Sequence, residues 1–203
     1  LTADERVRYE AARATYLSFA AARGVRMGTP HGFQRFLREC MASAEGRRAH
    51  TAYREQRALM LDPEAKHRVL ASLLRQHRDD RVIIFTNDNR TAYAIATAHL
   101  LPVITHQTGV KERQFILSAF HAGEVRAVVT SRVLNEGVDV PAARVAIIVS
   151  GTGTVREHVQ RLGRILRRAE GKEALLYEIV TANTAEVGLS ARRRDHAAYR
   201  DGE

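Results

Sequence analysis

Over the first sixty residues, apolar positions recur at helical spacing. Thr2 and Glu5 stand three apart, the reciprocal pair that satisfies the first amides of a helix. Val7, Ala11, Ala14, Leu17 and Ala21 then recur on one face until Gly24 ends the run. Thr29-Pro30 starts a second helix, with Phe33, Phe36, Leu37, Cys40 and Ala44 as its apolar stripe. A third piece, polar and arginine-rich, runs from about residue 49 to 61, with Arg47, Arg48, Arg54 and Arg57 in or beside it. The pattern predicts a helical arm over residues 1–61.

Asp62-Pro63 opens a helix carrying Val69, Leu70, Leu73 and Leu74, and from Arg81 the period changes. Short apolar runs at 82–85, 103–105, 125–130, 145–149 and 175–180 alternate with helical stretches at 90–100, 110–121, 154–168 and 185–199. Apolar runs without polar alternation suit strands covered on both faces, and strands alternating with helices suit a parallel sheet. Residues 62–203 are therefore expected to form an α/β domain with a doubly wound parallel sheet, which gathers ligands at the carboxyl ends of its strands.

The helix expected at 154–168 carries the most distinctive chemistry. Thr154 and Glu157 form another capping box. At about 100° per residue, Val155, Val159, Leu162 and Leu166 fall on one side and Gln160, Arg164 and Arg167 on the other. Gly163 beside them permits close approach of a ligand or a backbone. Two guanidinium groups one turn apart suit a polyphosphate, because each offers a planar fork of donors and a permanent charge. Polar residues also follow the apolar runs. Thr86-Asn87-Asp88-Asn89 follows the first, Thr108-Gly109 precedes the helix after the second, and Thr130-Ser131-Arg132 ends the third. Short side chains and free amides at such positions suit phosphate oxygens. The run Ser150-Gly151-Thr152-Gly153-Thr154-Val155-Arg156 superficially matches a dinucleotide fingerprint, but Arg156 stands at the third glycine, so a nicotinamide cofactor is not expected.

The pattern Gln160-x-x-Gly163-Arg164-x-x-Arg167 is similar to motif VI of superfamily-two helicases. Val128–Pro141, containing Thr130-Ser131-Arg132, Gly137 and Asp139, resembles motif V, and Val82–Asn87 resembles motif IV. Among these helicases the chain most resembles the prokaryotic XPB-type DNA helicases, through Thr130–Leu134, Gln160–Arg167 and Arg192-Arg193-Arg194. The resemblance implies a RecA-like second helicase lobe. It implies Arg164 and Arg167 as catalytic arginine fingers, with Gly137, Asp139 and Gln160 beside them at ATP. It further implies DNA-backbone contacts from Thr86, Asn87, Thr108, Gly109, Thr130, Ser131 and Arg132. His106 stands where the family is expected to have glycine. The arm at 1–61 would correspond to the family's thumb-like insertion. ATP with Mg²⁺, DNA bound without sequence preference, an N-terminal helicase lobe, a possible nuclease partner and a role in DNA repair are further implied.

Composition changes this picture little. The 203 residues carry 32 Lys and Arg against 23 Asp and Glu, a formal charge of +9, which fits a polyanion-binding surface. Only Lys66, Lys111 and Lys172 are lysines, so the arginine bias also carries a genomic component. Cys40 is the one cysteine, no apolar run is long enough for a membrane, and the first twenty residues are charged throughout. These features suit a reducing, cytoplasmic setting. The nine histidines show no ligand spacing, so no metal site within the chain is expected. Neither a Gly-x-x-x-x-Gly-Lys-Ser/Thr loop nor an Asp-Glu-x-His or Asp-Glu-x-Asp box is present, so this chain by itself is expected not to hydrolyse ATP. The alternative is a non-catalytic nucleic-acid-binding or partner-docking module with a degenerate helicase fold.

Overall fold

The computed structural model describes residues 1–29, 31–131, 143–150 and 175–194, with residues 192–194 described in backbone only. Arg132, Gly137, Asp139, Gln160, Arg164 and Arg167, with the helix expected at 154–168, lie outside the described residues. The chain divides into two compact units, Leu1–Glu64 and Ala65–Glu203.

The first unit is helical: α1 (Ala3–Ala22), α2 (Gly32–Met41) and α3 (Ala44–Leu61). The first capping box forms as expected, with Glu5 N donating to Thr2 Oγ1 at 3.2 Å and Thr2 N donating to Glu5 Oε2 at 2.8 Å. The buried face of α1 differs from the expected one. Tyr9, Ala12, Tyr16, Phe19 and Ala20 are buried, whereas Val7 is 69 % exposed and Ala11, Ala14 and Ala21 also face outward. Aromatic rings decide the rotation, because each buries far more apolar area than valine or alanine. Tyr16 meets Phe36 edge-on at 6.2 Å and Tyr53 at 5.4 Å, and Cys40, Ala49 and Ala52 close this core.

Two boundaries also move. Thr29 spends its hydroxyl on the Arg26 carbonyl at 3.0 Å, and the N-cap of α2 is His31, which makes no side-chain capping bond. Ser43 accepts from Gly46 N at 2.9 Å, so α3 starts at Ala44 rather than near residue 49, and Ala44 belongs to α3 instead of α2.

The second unit contains α4 (Glu64–Gln76, whose first residue belongs to the first unit), β1 (Val82–Thr86), α5 (Asn89–His99), β2 (Val103–Ile104), α6 (Val110–Ala122), β3 (Ala127–Ser131), β4 (Val145–Ile148), β5 (Leu175–Glu178) and α7 (Ala185–Arg194). All four strand pairs are parallel and the order is β2-β3-β1-β4-β5. β3 begins two residues later than expected because the Glu124 and Val125 amides both bond the Ala119 carbonyl and close α6 around Gly123, whose φ is +84°.

Every residue of β1, β3 and β4 is buried. Alternate residues feed two cores. Ile83, Phe85, Val128, Ala146 and Ile148 pack with Ile116 and Phe120 of α6. Val82, Ile84, Val129, Val145 and Ile147 pack with Leu70 of α4 and Ile95 of α5. Each such side chain contributes about 1.5–3 kcal/mol on full burial, so the sheet carries its own stability. At the amino edge, His77 Nδ1 lies 2.9 Å from Asp80 Oδ2, and its Nε2 lies 2.9 Å from the Tyr177 hydroxyl. The His77 hydrogen bond, with Arg144 beyond it, holds the Asp80 carboxyl below its ordinary range. No described helix is long and apolar enough to cross a membrane, and the described residues contain no cluster of three acidic, His or Cys side chains able to hold a metal.

Gly46 fixes how closely α2 and α3 approach. A Cβ there would stand 2.6 Å from the Cys40 carbonyl oxygen and 2.7 Å from that of Glu39, both backbone atoms. Gly46→Ala is therefore expected to lower stability by about 1–3 kcal/mol, as overpacking does, despite alanine's better helix propensity. A urea midpoint equal to or above that of the parent would show that the two helices are free to part.

Candidate functional site

Chain direction locates the site. From β1 the chain moves outward past β3 to β2, whereas from β4 it continues to β5 on the opposite side. The switch point thus lies outside the carboxyl ends of β1 and β4, where open α/β sheets bind ligands. The two ends are joined there directly. Asn87 N donates to Ser150 Oγ at 3.0 Å, and both residues are buried.

The register places the third strand beside them, pairing Thr86 with Ser131 and Phe85 with Thr130. Thr86 is fully buried, and its hydroxyl points at the Asp88 carbonyl at 3.0 Å and the Thr130 carbonyl at 3.3 Å. Asp88 turns the chain into α5 by accepting from Thr91 N at 2.9 Å. Asn89, the next residue, links two further elements. Its carboxamide oxygen accepts from the Ser131 hydroxyl, and its Nδ2 lies 3.1 Å from Nδ1 of His106. His106 itself is exposed.

The β2–α6 corner is held in the same manner. Thr105 N donates to Thr108 Oγ1 at 2.9 Å and Gln107 N donates to Thr105 Oγ1 at 3.2 Å. Gly109 is the exposed N-cap of α6, and no described side chain caps the amides that follow. A Cβ at Gly109 would meet nothing within 4 Å, so the fold itself does not require glycine there. Thr130 Oγ1 is buried, with no hydrogen-bond partner among the described residues.

The six described sequence candidates, Thr86, Asn87, Thr108, Gly109, Thr130 and Ser131, thus share one edge of the sheet. Five of them are buried, and only Gly109 is exposed. Arg132, Gly137, Asp139, Gln160, Arg164 and Arg167 lie outside the described residues. Sequence reasoning placed Asn89 in the polar run after the first strand but did not single out Ser150 or Thr105 as part of this edge. The signal available was position, since each is a polar residue within three places of an apolar strand's end.

The profile of the family described as ERCC3/RAD25/XPB C-terminal helicase matches residues 40–199, most of the chain. The chain belongs to this family. The XPB-type resemblance read from motifs IV, V and VI is borne out. A curated member, "DNA 3'-5' translocase XPB2" of Sulfurisphaera tokodaii, is 40 % identical over 195 residues, covering 96 % of this chain and 44 % of the relative. "DNA 3'-5' helicase XPB" of Kineococcus radiotolerans is 36 % identical over 132 residues, covering 64 % of this chain and 24 % of the relative. The chain therefore spans less than half the length of either relative. Among solved structures, the Sulfolobus solfataricus SWI2/SNF2 ATPase core in complex with dsDNA aligns at TM-score 0.67 and 16 % identity, over 99 % of this chain and 45 % of that one. The C-terminal domain of the DEAD-box protein Dbp5 aligns at TM-score 0.56 and 18 % identity, over 71 % of this chain and 83 % of that one. At these identities the structures speak to fold alone. The RecA-like, doubly wound parallel sheet expected from sequence is the fold found.

The Asp88 cap organises the β1–α5 corner. Asp88→Ala is expected to cost about 1 kcal/mol, the usual loss for an N-cap, because Thr91 N loses its acceptor. Urea unfolding should show a lower midpoint at unchanged slope. An unchanged midpoint would mean that the corner is held by the Thr86 and Asn89 bonds alone.

Proposed function

We propose that this chain is the second lobe of an ATP-dependent DNA translocase or helicase of XPB type. The match over residues 40–199 carries this reading, and the Gln160, Gly163, Arg164, Arg167 pattern lies inside it. Arg164 and Arg167 act as fingers on the γ-phosphate of an ATP·Mg²⁺ held mainly by an N-terminal lobe, with Gln160, Gly137 and Asp139 lining the nucleotide. This chain lacks the phosphate loop and the Asp-Glu box, so it does not turn over ATP unaided. Closure of the two lobes on ATP and reopening after hydrolysis step the lobe along DNA.

DNA is gripped at the carboxyl edge, through Thr86, Asn87, Thr108, Gly109, Thr130, Ser131 and Arg132. The buried hydroxyls of Thr86, Thr108 and Ser131 already bond within the chain, so they act by holding the loops in shape. The contacts themselves fall to the uncovered amides at the start of α6 and to exposed neighbours such as His106. Phosphate contacts carry no sequence information, which suits a motor that must pass over any sequence. The direction 3′ to 5′, stated in the names of both relatives above, is proposed for the complete enzyme. DNA repair is the proposed setting, with a nuclease as a candidate partner.

The decisive experiment uses the complete two-lobe enzyme. Arg167→Ala is expected to lower DNA-stimulated ATP turnover by about 10³–10⁵-fold, the worth of an arginine finger, with a smaller effect on ATP binding. Arg164→Ala should behave alike. Arg168→Ala should not, because it sits about 80° from the Gln160 face of the wheel. Equal damage from Arg168→Ala, or full activity of Arg167→Ala, would falsify the finger assignment.

A second experiment addresses the arm. Arg47, Arg48 and Arg54 are exposed, whereas Arg57 is half-buried over the Tyr53 ring at 5.9 Å. Replacing the first three with alanine should weaken single-stranded DNA binding while leaving the melting temperature nearly unchanged. The parent's log–log salt slope should be near −2, corresponding to about three neutralised phosphates. Unaltered DNA affinity in the triple variant would reduce the arm to scaffold.

A further inference from the structure

Two rings stand at the β2–α6 corner with a polar atom of each turned to a neighbouring element. Asn89 and Tyr93 lie one turn apart on α5 and meet consecutive residues of that corner. Asn89 Nδ2 lies 3.1 Å from His106 Nδ1, and the Tyr93 hydroxyl lies 3.4 Å from Thr105 Oγ1. Thr105 is fully buried, whereas Tyr93 is 42 % exposed. The Tyr93 main chain is inside α5, so the exposed area belongs to its ring. A surface tyrosine ordinarily lays its ring on the protein and sends its hydroxyl to water. Tyr93 instead engages its hydroxyl at a buried atom and leaves ring surface to solvent.

Both rings are pinned by partners that are themselves held. Asn89 accepts from the Ser131 hydroxyl at the end of β3. Thr105 accepts from Gln107 N, and its own amide donates to Thr108 Oγ1. The same turn of chain ends at the exposed Gly109, whose following amides no described side chain caps. The charges around it suit a polyanion. No acidic residue occurs between Asp88 and Glu112, and Asp88 already caps Thr91 N. Arg90 and Lys111, on the two helices that flank the corner, are exposed. Outward positions beside Tyr93 on α5 are Arg90, Ala94 and Thr97, which form no aliphatic pocket for a protein side chain. A flat ring face next to cations and main-chain donors matches a nucleotide, with its base on the ring and its phosphate on the amides.

We propose that Tyr93 and His106 form a stacking platform for unpaired nucleobases, so that the strand meeting the start of α6 is single there. This rests on the DNA reading proposed above and deepens it. Phosphate contacts hold a backbone of either kind, whereas the rings take only bases that a duplex would keep stacked on one another. Every base has a π-face, so binding remains independent of sequence.

The test measures Kd of the complete two-lobe enzyme, without nucleotide, for oligothymidylate and for an abasic strand of the same length. Tyr93→Ala should weaken binding of oligothymidylate roughly 5- to 150-fold, the worth of one stacked base, and leave the abasic strand within about twofold of the parent. Tyr93→Phe keeps the ring and should stay within about threefold of the parent on both strands. His106→Ala should lose more on oligothymidylate than on the abasic strand. Melting temperatures should hardly move, since both positions are exposed. Equal losses on the two strands overturn the platform and leave the rings as supports for backbone contacts. A Tyr93→Phe variant as weak as Tyr93→Ala also overturns it, because only the hydroxyl then matters. Unaltered affinity of Tyr93→Ala and His106→Ala for both strands removes the platform alone, with the DNA reading intact. A parent enzyme that binds neither strand removes the DNA reading first and this inference with it.

Discussion

Strand β1 has no free side. It pairs in parallel with β3 and β4 along its length and is buried on both faces between the α6 core and the α4–α5 core. A strand so enclosed can meet a ligand only beyond its carboxyl end, and there the ladder stops while the backbone still demands partners. The Asn87 amide finds Ser150, Thr86 reaches across to the Thr130 carbonyl, and Asp88 takes the Thr91 amide in the first turn of α5. The rest of the edge follows from these bonds. Ser131 can reach Asn89 because Thr86 and Ser131 are in register, and Asn89 can reach His106 because the β2–α6 corner is fixed by Thr105 and Thr108.

The two units solve the burial problem differently. The second builds its core from aliphatic strand residues, in which volume and β-branching suffice. The first has no sheet and relies on rings: Tyr16, Phe19, Phe36 and Tyr53 contact one another at 5.4–6.3 Å, mostly edge to face. Such pairs add about 0.5–1.5 kcal/mol each beyond their area. They also explain the need for Gly46, since α3 must come close enough to α2 for Tyr53 to reach Phe36.

Much of the fold was legible in the sequence because its signals were local. Apolar runs without alternation marked the five described strands, and Asp-Pro, Thr-x-x-Glu and Gly24 marked helix ends. What failed was weighting: a valine–alanine stripe was read as the buried face of α1 when Tyr9, Tyr16 and Phe19 carried more area. An aromatic ring governs packing by its area, whether or not it carries a hydroxyl. At the site, the hydroxyl residues beside the strands were visible but their bonds were not. Thr86–Thr130 and Asn87–Ser150 join residues 44 and 63 positions apart, and such pairings depend on strand order, which periodicity does not encode. The ion pair of Lys66 and Glu186 spans 120 positions and has no local signature at all.

Those long-range bonds change what the polar residues can do. A hydroxyl already donated within a buried corner is a poor phosphate ligand, because turning outward would strand the group it served. Thr86 and Ser131 are in that position. Amides at the first turn of α6 are not, since Gly109 contributes no side chain to cap them and helix dipoles favour anions there. The edge therefore divides labour between side chains that freeze loop geometry and main-chain groups that no described side chain caps. If the lobe belongs to the motor proposed above, it gains from that division. Main-chain donors are the same whatever base passes, and a rigid corner transmits movement of the lobe without being remodelled at each step.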